Sequence, residues 1–238
     1  MSRKSESQEV ATVEATPPAP PDVLGFEPFN PLDSVERPAL PRIGISRETC
    51  QFLIGDEPAK TVSGHILAVT NVRAWWREKF GTGSTGAPQC FALGSPRPDP
   101  KCEAPQSESC FVCEHNRFAR SFDDSRPGCH QKKRFLFLTD GNVLPSLLDI
   151  PALGLKACDR WLTECAGKAD VGPVLPLWLV RISLQKRQSK TSDYSGTEPV
   201  FELVSREGHR AAEIAAAIKA FSGQAKEEEV IDEEGLPF

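Results

Sequence analysis

The longest run of strand-forming apolar positions lies between residues 62 and 76. There VSGHILAVTNVRAWW is rich in β-branched and aromatic residues and contains no proline. The pattern predicts a long strand running on toward a helical turn. Residues 134–138 alternate, with Phe135 and Phe137 on one face. Residues 177–186 predict a strand with Trp178, Val180, Ile182 and Leu184 on one side, and 199–205 predict another. The polar text between them, 185–198, reads as their connecting loop. A helical period places Leu155, Cys158, Trp161, Leu162 and Cys165 on one stripe over 153–165. A second helix, 210–221, aligns Ile214, Ile218 and Phe221 and stops before Gly223. Residues 81–109 are rich in Gly, Ser and Pro and read as loop. The pattern predicts a mainly β fold with accessory helices (α+β), compatible with a small Greek-key barrel.

The ends of the chain follow a different pattern. Residues 1–42 carry eight prolines and few strong core formers, which predicts a disordered Pro-rich arm. The folded domain is expected over 43–222, beginning with 43–54, and residues 223–238 form a flexible acidic tail. The net charge of -5 is unevenly distributed. Residues 226–238 carry -5, residues 1–49 carry -3, and the body between them carries +3. A basic body between acidic ends suits a polyanion binder whose own tail competes for its groove. No stretch is long and apolar enough to cross a membrane, and no signal-peptide pattern opens the chain. Together these predict a cytoplasmic protein.

In a reducing cytoplasm, clustered thiols read as metal ligands before disulfides. Cys110-Phe-Val-Cys113 is a CxxC pair, with Cys129 downstream and Cys90 and Cys102 upstream. Two thiolates in a tight turn, with two ligands from distant chain, make a closed tetrahedral zinc site. With four thiolates no position is left for an activated water, so the zinc is expected to be structural. Cys50, Cys158 and Cys165 are expected to bind no metal, the last two packing on a helix face. The four histidines, at 65, 115, 130 and 209, are scattered, and His65 reads as a strand residue with a local hydrogen bond. No HExxH, P-loop or Ser-His-Asp arrangement is present. The sequence predicts no enzyme.

Binding of single strands needs cations along a groove and rings on which bases stack. Three places supply candidates. Arg73, Trp75, Trp76, Arg77, Lys79 and Phe80 interleave charge with rings, although alternation puts one of the two tryptophans in the core. Lys132, Lys133 and Arg134 follow the cysteine-rich loop. Arg181, Lys186, Arg187 and Lys190 form a third basic group, with Tyr194 beside it as a stacking ring. Trp161 and Trp178 sit in apolar patterns and are expected in the core.

The chain closes on an acidic run, Asp232-Glu233-Glu234, and then Leu236-Pro237-Phe238. Pro237 restricts the backbone beside an apolar anchor, and the acids steer it toward basic rims. This ending resembles the tail of bacterial single-stranded-DNA-binding proteins, whose last residues dock onto replication and repair enzymes. The middle of the chain carries a second resemblance, over about residues 60–205. SGHILAVTNVRAWW, a Cys after a Gly-rich loop, CxxC, Cys-x-x-Lys-x-Arg-x-Leu-Phe and LPSLLDIPALGLKACDRWL together resemble a family of zinc-bearing phage proteins associated with single-stranded DNA.

These resemblances imply an OB-fold-like barrel with an inserted zinc loop at about 90–130. They put Cys90, Cys110, Cys113 and Cys129 on a structural Zn²⁺, with Cys102, His115 and His130 as competitors for the place of Cys90. The implied function is a non-enzymatic protein, phage-borne in a bacterial host, that coats single-stranded DNA in replication, recombination and repair. It would recruit partner proteins through its acidic tip, as a monomer or homo-oligomer. The alternative is a zinc-ribbon module of a replication complex that bridges proteins without touching DNA.

Overall fold

In the computed structural model, nine strands form one sheet around the long central strand β4. The structure describes residues 40–77, 88–117, 128–188 and 195–221. All of them belong to the second of two units, Leu40–Phe238, into which the chain divides after Ala39. The strands are β1 (Arg42–Ser46), β2 (Gln51–Ile54), β3 (Glu57–Ala59), β4 (Thr61–Trp75) and β5 (Cys90–Leu93), followed by β6 (His130–Thr139), β7 (Ser146–Pro151), β8 (Trp178–Gln188) and β9 (Ser195–Arg206). Two α-helices, α1 (Leu155–Ala166) and α2 (Ala211–Phe221), accompany them. The order across the sheet is β3-β2-β1-β7-β6-β4-β8-β9, with β5 added to β4. All pairings are antiparallel except β1 with β7. The sheet curls into a half-barrel, so the fold is mainly β with a few helices.

β4 is long enough to serve three partners. Its first residues pair with β8, its last with β5, and most of its length with β6. Gly64 sits where β4 pairs with both β6 and β8. A Cβ there would run into the carbonyl oxygen of Leu138, so only glycine allows the close approach. A register shift between Ile66 and Ala68 then resets which side chains face each side.

One face of the sheet carries the main core: Ile43, Phe52, Val62, Ile66, Phe135, Phe137, Leu148, Ile150, Val180 and Ile182. α1 covers this core with Cys158 and with Trp161, whose ring stacks on Phe201 at 4.6 Å. Trp161 and Trp178 both pack against the core as expected. α2 buries Ile214, Ala217 and Phe221 and contacts β4. His65 is fully buried and is held by hydrogen-bond contacts to the Pro176 carbonyl (3.0 Å) and the Glu207 carboxylate (3.2 Å).

The elements differ from the sequence pattern in three places. The span 81–109 contains the short strand β5, which the Gly- and Pro-rich composition hides. β7 lies in a stretch with no alternation because both of its faces are covered: Ser146, Leu147, Leu148 and Ile150 are all buried. The connection expected over 185–198 is instead a hairpin arm, in which β8 and β9 pair out to Gln188 and Ser195. Cross-strand hydrogen bonds carry polar residues into strands wherever one face meets water.

Candidate metal centre and nucleic-acid interface

Four of the eight cysteines converge at the open end of β4. Cys90 starts β5 opposite Trp75, and Cys129 lies just before β6. Cys110 and Cys113 belong to the intervening loop. Backbone bonds fasten that loop to its surroundings: Cys110 N–H to the Pro96 carbonyl (2.7 Å), Cys129 N–H to the His115 carbonyl (2.6 Å) and Asn116 N–H to the Cys113 carbonyl (3.0 Å). The Asn116 side chain donates to the Phe111 carbonyl (3.3 Å) and accepts from Gln131 of β6 (3.0 Å). Cys90, Cys110, Cys113 and Cys129 line one small cavity of about 20 Å³, together with Arg73, Trp75 and His115.

The competing donors stand in different places around these four. Cys102 does not line this cavity. Its Sγ lies 3.1 Å from both the backbone nitrogen and the carbonyl oxygen of Phe91, which braces β5, and its thiol also contacts Cys90 by a side-chain hydrogen bond. His130 lies edge-on to Trp76 and is also absent from the lining. His115 lines the cavity, but its ring packs against Trp75, tilted by 32° with centroids 4.4 Å apart. Cys158 and Cys165 are buried in the core region, as free thiols on the helix face.

Burial pushes the Cys129 thiol up to about 12, with the neighbouring Cys110, Cys113 and Cys90 adding to the rise and Arg73 opposing it. Burial likewise raises Cys90 to about 11. These two thiols stay protonated near neutrality unless a cation accompanies them. As the side chains stand, no group of three or more His, Cys, Asp or Glu among the described residues is placed to hold a metal ion. The donor set itself, four soft sulfur ligands including a CxxC pair, suits zinc in chemistry.

The cations anticipated for nucleic acid divide into distinct groups. A polar cavity of about 150 Å³ lies between β4, β6 and the start of α1. It is lined by Asn71 and Arg73 of β4, by Gln131, Lys132 and Lys133 of β6, and by Asp159 of α1. Arg73 also lines the cysteine cavity, so the two hollows share a wall. Its guanidinium lies 5.1 Å from the centroid of the Phe111 ring. Its Nη1 is buried with no hydrogen-bond partner among the described residues.

Arg134 corrects the expected surface. Its side chain is buried and forks onto Asp149, with Nε–Oδ1 at 2.9 Å and Nη2–Oδ2 at 3.1 Å. Lys132 Nζ reaches the same carboxylate at 2.6 Å. Burial by itself would raise the Asp149 carboxyl, but Lys132 and Arg134 outweigh it and hold the group down at about 2. Lys133 is also largely buried, with Nζ 2.6 Å from Asp159.

Trp75 and Trp76 require a second correction. They point to opposite faces as alternation demands, yet both are buried. Trp75 packs with Cys90 and Cys102, and Trp76 with Val72 and Ala74. Neither is a platform for bases. The exposed ring at this end is Phe111, 64% accessible, inside the CxxC itself, with Val112 beside it. The signal was present in the sequence: an apolar pair between two cysteines has no core to enter.

Arg77 is exposed just beyond β4. Arg181 and Arg187 lie on the solvated side of the β8–β9 arm, paired with Glu202 (3.1 Å) and Glu198 (3.0 Å). Lys186 is exposed on the opposite side of that arm, following Val180, Ile182 and Leu184. Lys79, Phe80, Lys190 and Tyr194 lie outside the described residues, as do Asp232, Glu233, Glu234, Leu236, Pro237 and Phe238. No helix among the described residues is long and apolar enough to cross a membrane. No family model, curated protein or solved structure matches the chain.

Proposed function

We propose that this protein binds single-stranded DNA without catalysing a reaction, using the open end of β4 and β6 as its groove. The observation that carries this reading is the meeting of Arg73 and Lys133 in one polar hollow beside the cysteine cavity, with the exposed Phe111 ring 5.1 Å from the Arg73 guanidinium. Cations there neutralise phosphates, and the ring takes a base. Arg181 and Arg187 form a separate basic surface on the β8–β9 arm, which pairs with the opposite, Thr61–Gly64 end of β4. The exposed Arg181–Glu202 pair is worth little and exchanges readily for phosphate, whereas Glu198, the partner of Arg187, is only 16% exposed.

On this reading the curled half-barrel is an OB-type platform. Cys90, Cys110, Cys113 and Cys129 hold a structural Zn²⁺, which fixes the loop that presents Phe111. When bound, the ion supplies cross-linking of loop segments rather than reactivity. The acidic tail competes for the groove in the free protein and recruits replication or repair partners once DNA displaces it. The exposed Phe111–Val112 tip is also what a protein-bridging zinc ribbon would present, and it favours that second reading.

Titration of labelled oligo-dT into metal-replete protein at two salt concentrations decides between the readings. DNA binding should be saturable and should weaken steeply with salt. Phe111→Ala should cost about 1–3 kcal/mol of that affinity, the worth of one stacked base. Absence of saturable binding in dilute salt would overturn the DNA reading and leave the bridging module.

A further inference from the structure

The Lys133–Asp159 pair is lopsided. Lys133 is 6% exposed, while the side chain of its partner carboxylate is 64% exposed. Both line the hollow of about 150 Å³ that also meets Arg73 and the first residue of α1, Leu155. The first turn of α1 has no acidic residue and no side-chain cap. Lys132 also borders the hollow, but its ammonium is engaged by Asp149, which is itself clamped by Arg134. The acid at this hollow is therefore of a different kind from Asp149: it sits at the surface, on one ammonium, and is easily rehydrated.

We propose that Asp159 occupies, in the free protein, the place of one backbone phosphate of single-stranded DNA. A phosphodiester entering the hollow takes Lys133 from Asp159 and gains Arg73 as a second cation, while the carboxylate turns out to water. A largely buried ammonium cannot be left uncompensated, so the exchange is concerted: one anion leaves as the other arrives. The hollow has room for such a group, whereas the cysteine cavity next to it, at about 20 Å³, has not. Asp159 then sets the threshold of binding. It stabilises the free protein and weakens its hold on DNA by the same interaction.

This inference rests on the DNA-binding reading, and its signature is a mutation of unexpected sign. Full-length wild type, Asp159→Asn, Arg73→Gln and Asp170→Asn are compared by anisotropy on oligo-dT across a salt series, with thermal melts to confirm folding. Asp170, an exposed acid beyond the far end of α1, controls for the change in net charge. Asp159→Asn should tighten binding at least about threefold beyond Asp170→Asn, because an amide still accepts from Lys133 without competing as an anion. Arg73→Gln should weaken binding about tenfold and reduce the salt slope by about 0.7, the value of one phosphate on a single strand.

A second readout needs no DNA. Inorganic phosphate, compared with chloride at equal ionic strength, should raise the melting temperature of wild type more than that of Arg73→Gln. Phosphate stabilisation without oligo-dT binding would retire the DNA reading and keep the anion seat. Asp159→Asn no tighter than Asp170→Asn, together with equal phosphate responses in wild type and Arg73→Gln, would overturn the seat itself.

Discussion

Arg134 lies within a basic run, Lys132-Lys133-Arg134, that has the look of a surface patch, yet alternation sends its members in different directions. Lys132 and Arg134 turn to one face of β6, where register sets Arg134 opposite Asp149 of β7. Lys133 turns to the other face and meets α1. The period of two was legible in the sequence. The partner was not, because Asp149 stands in β7, a strand that the pattern does not reveal, and pairing register depends on the whole sheet. The pair should behave as a buried ion cluster. Asp149→Ala strands Arg134 and Lys132, and should cost about 3–5 kcal/mol in urea unfolding. The pH dependence has a definite sign. The folded carboxyl stands at about 2 against an ordinary 3.8, so its stabilisation is fully present above 3.8 and is lost as pH falls through about 2. Asp149→Asn should flatten the acid limb of the stability curve over that window.

At the scale of elements, the cysteine loop and β5 act as one unit. β5 is four residues long and pairs only with the end of β4, so it contributes little cohesion of its own. Cys102 braces it from within, and Cys90 ties it to the loop cavity. Composition revealed the cysteines and their grouping, but it could not separate Cys90 from Cys102. The two touch in the fold, and only Cys90 lines the cavity, because of the fold-back of residues 99–104, where Asp99 N–H bonds the Phe91 carbonyl and Ala104 N–H bonds the Gln89 carbonyl. That turn points Cys102 at the β5 backbone. The assignment gives a sorted expectation for the metal. Purified protein should carry about one zinc per chain, lost on Cys110→Ser, Cys113→Ser, Cys129→Ser or Cys90→Ser. Cys102→Ser should retain it and change only stability. Metal analysis of the five variants checks this, and zinc loss in Cys102→Ser with retention in Cys90→Ser would exchange the two roles.

For the whole molecule, the asymmetry of charge becomes the controlling quantity. The body over residues 50–225 carries +3, and the segment 226–238 carries a charge equal to the net charge of the entire chain, -5. A tethered polyanion competes with DNA at an effective concentration set by its linker, without any specific contact. Removing residues 227–238 should therefore tighten oligo-dT binding, and the gain should shrink as salt rises, since charges farther apart than about 10 Å are screened at 0.1 M. The same deletion should abolish capture of any partner that reads Leu236-Pro237-Phe238. Restoring the acids without those three residues separates the two effects: competition returns and capture does not. If deletion instead weakened DNA binding at every salt concentration, the tail would belong to the binding surface. The three basic groups would then have to be reconsidered as sites for the chain's own acids, with DNA entering elsewhere.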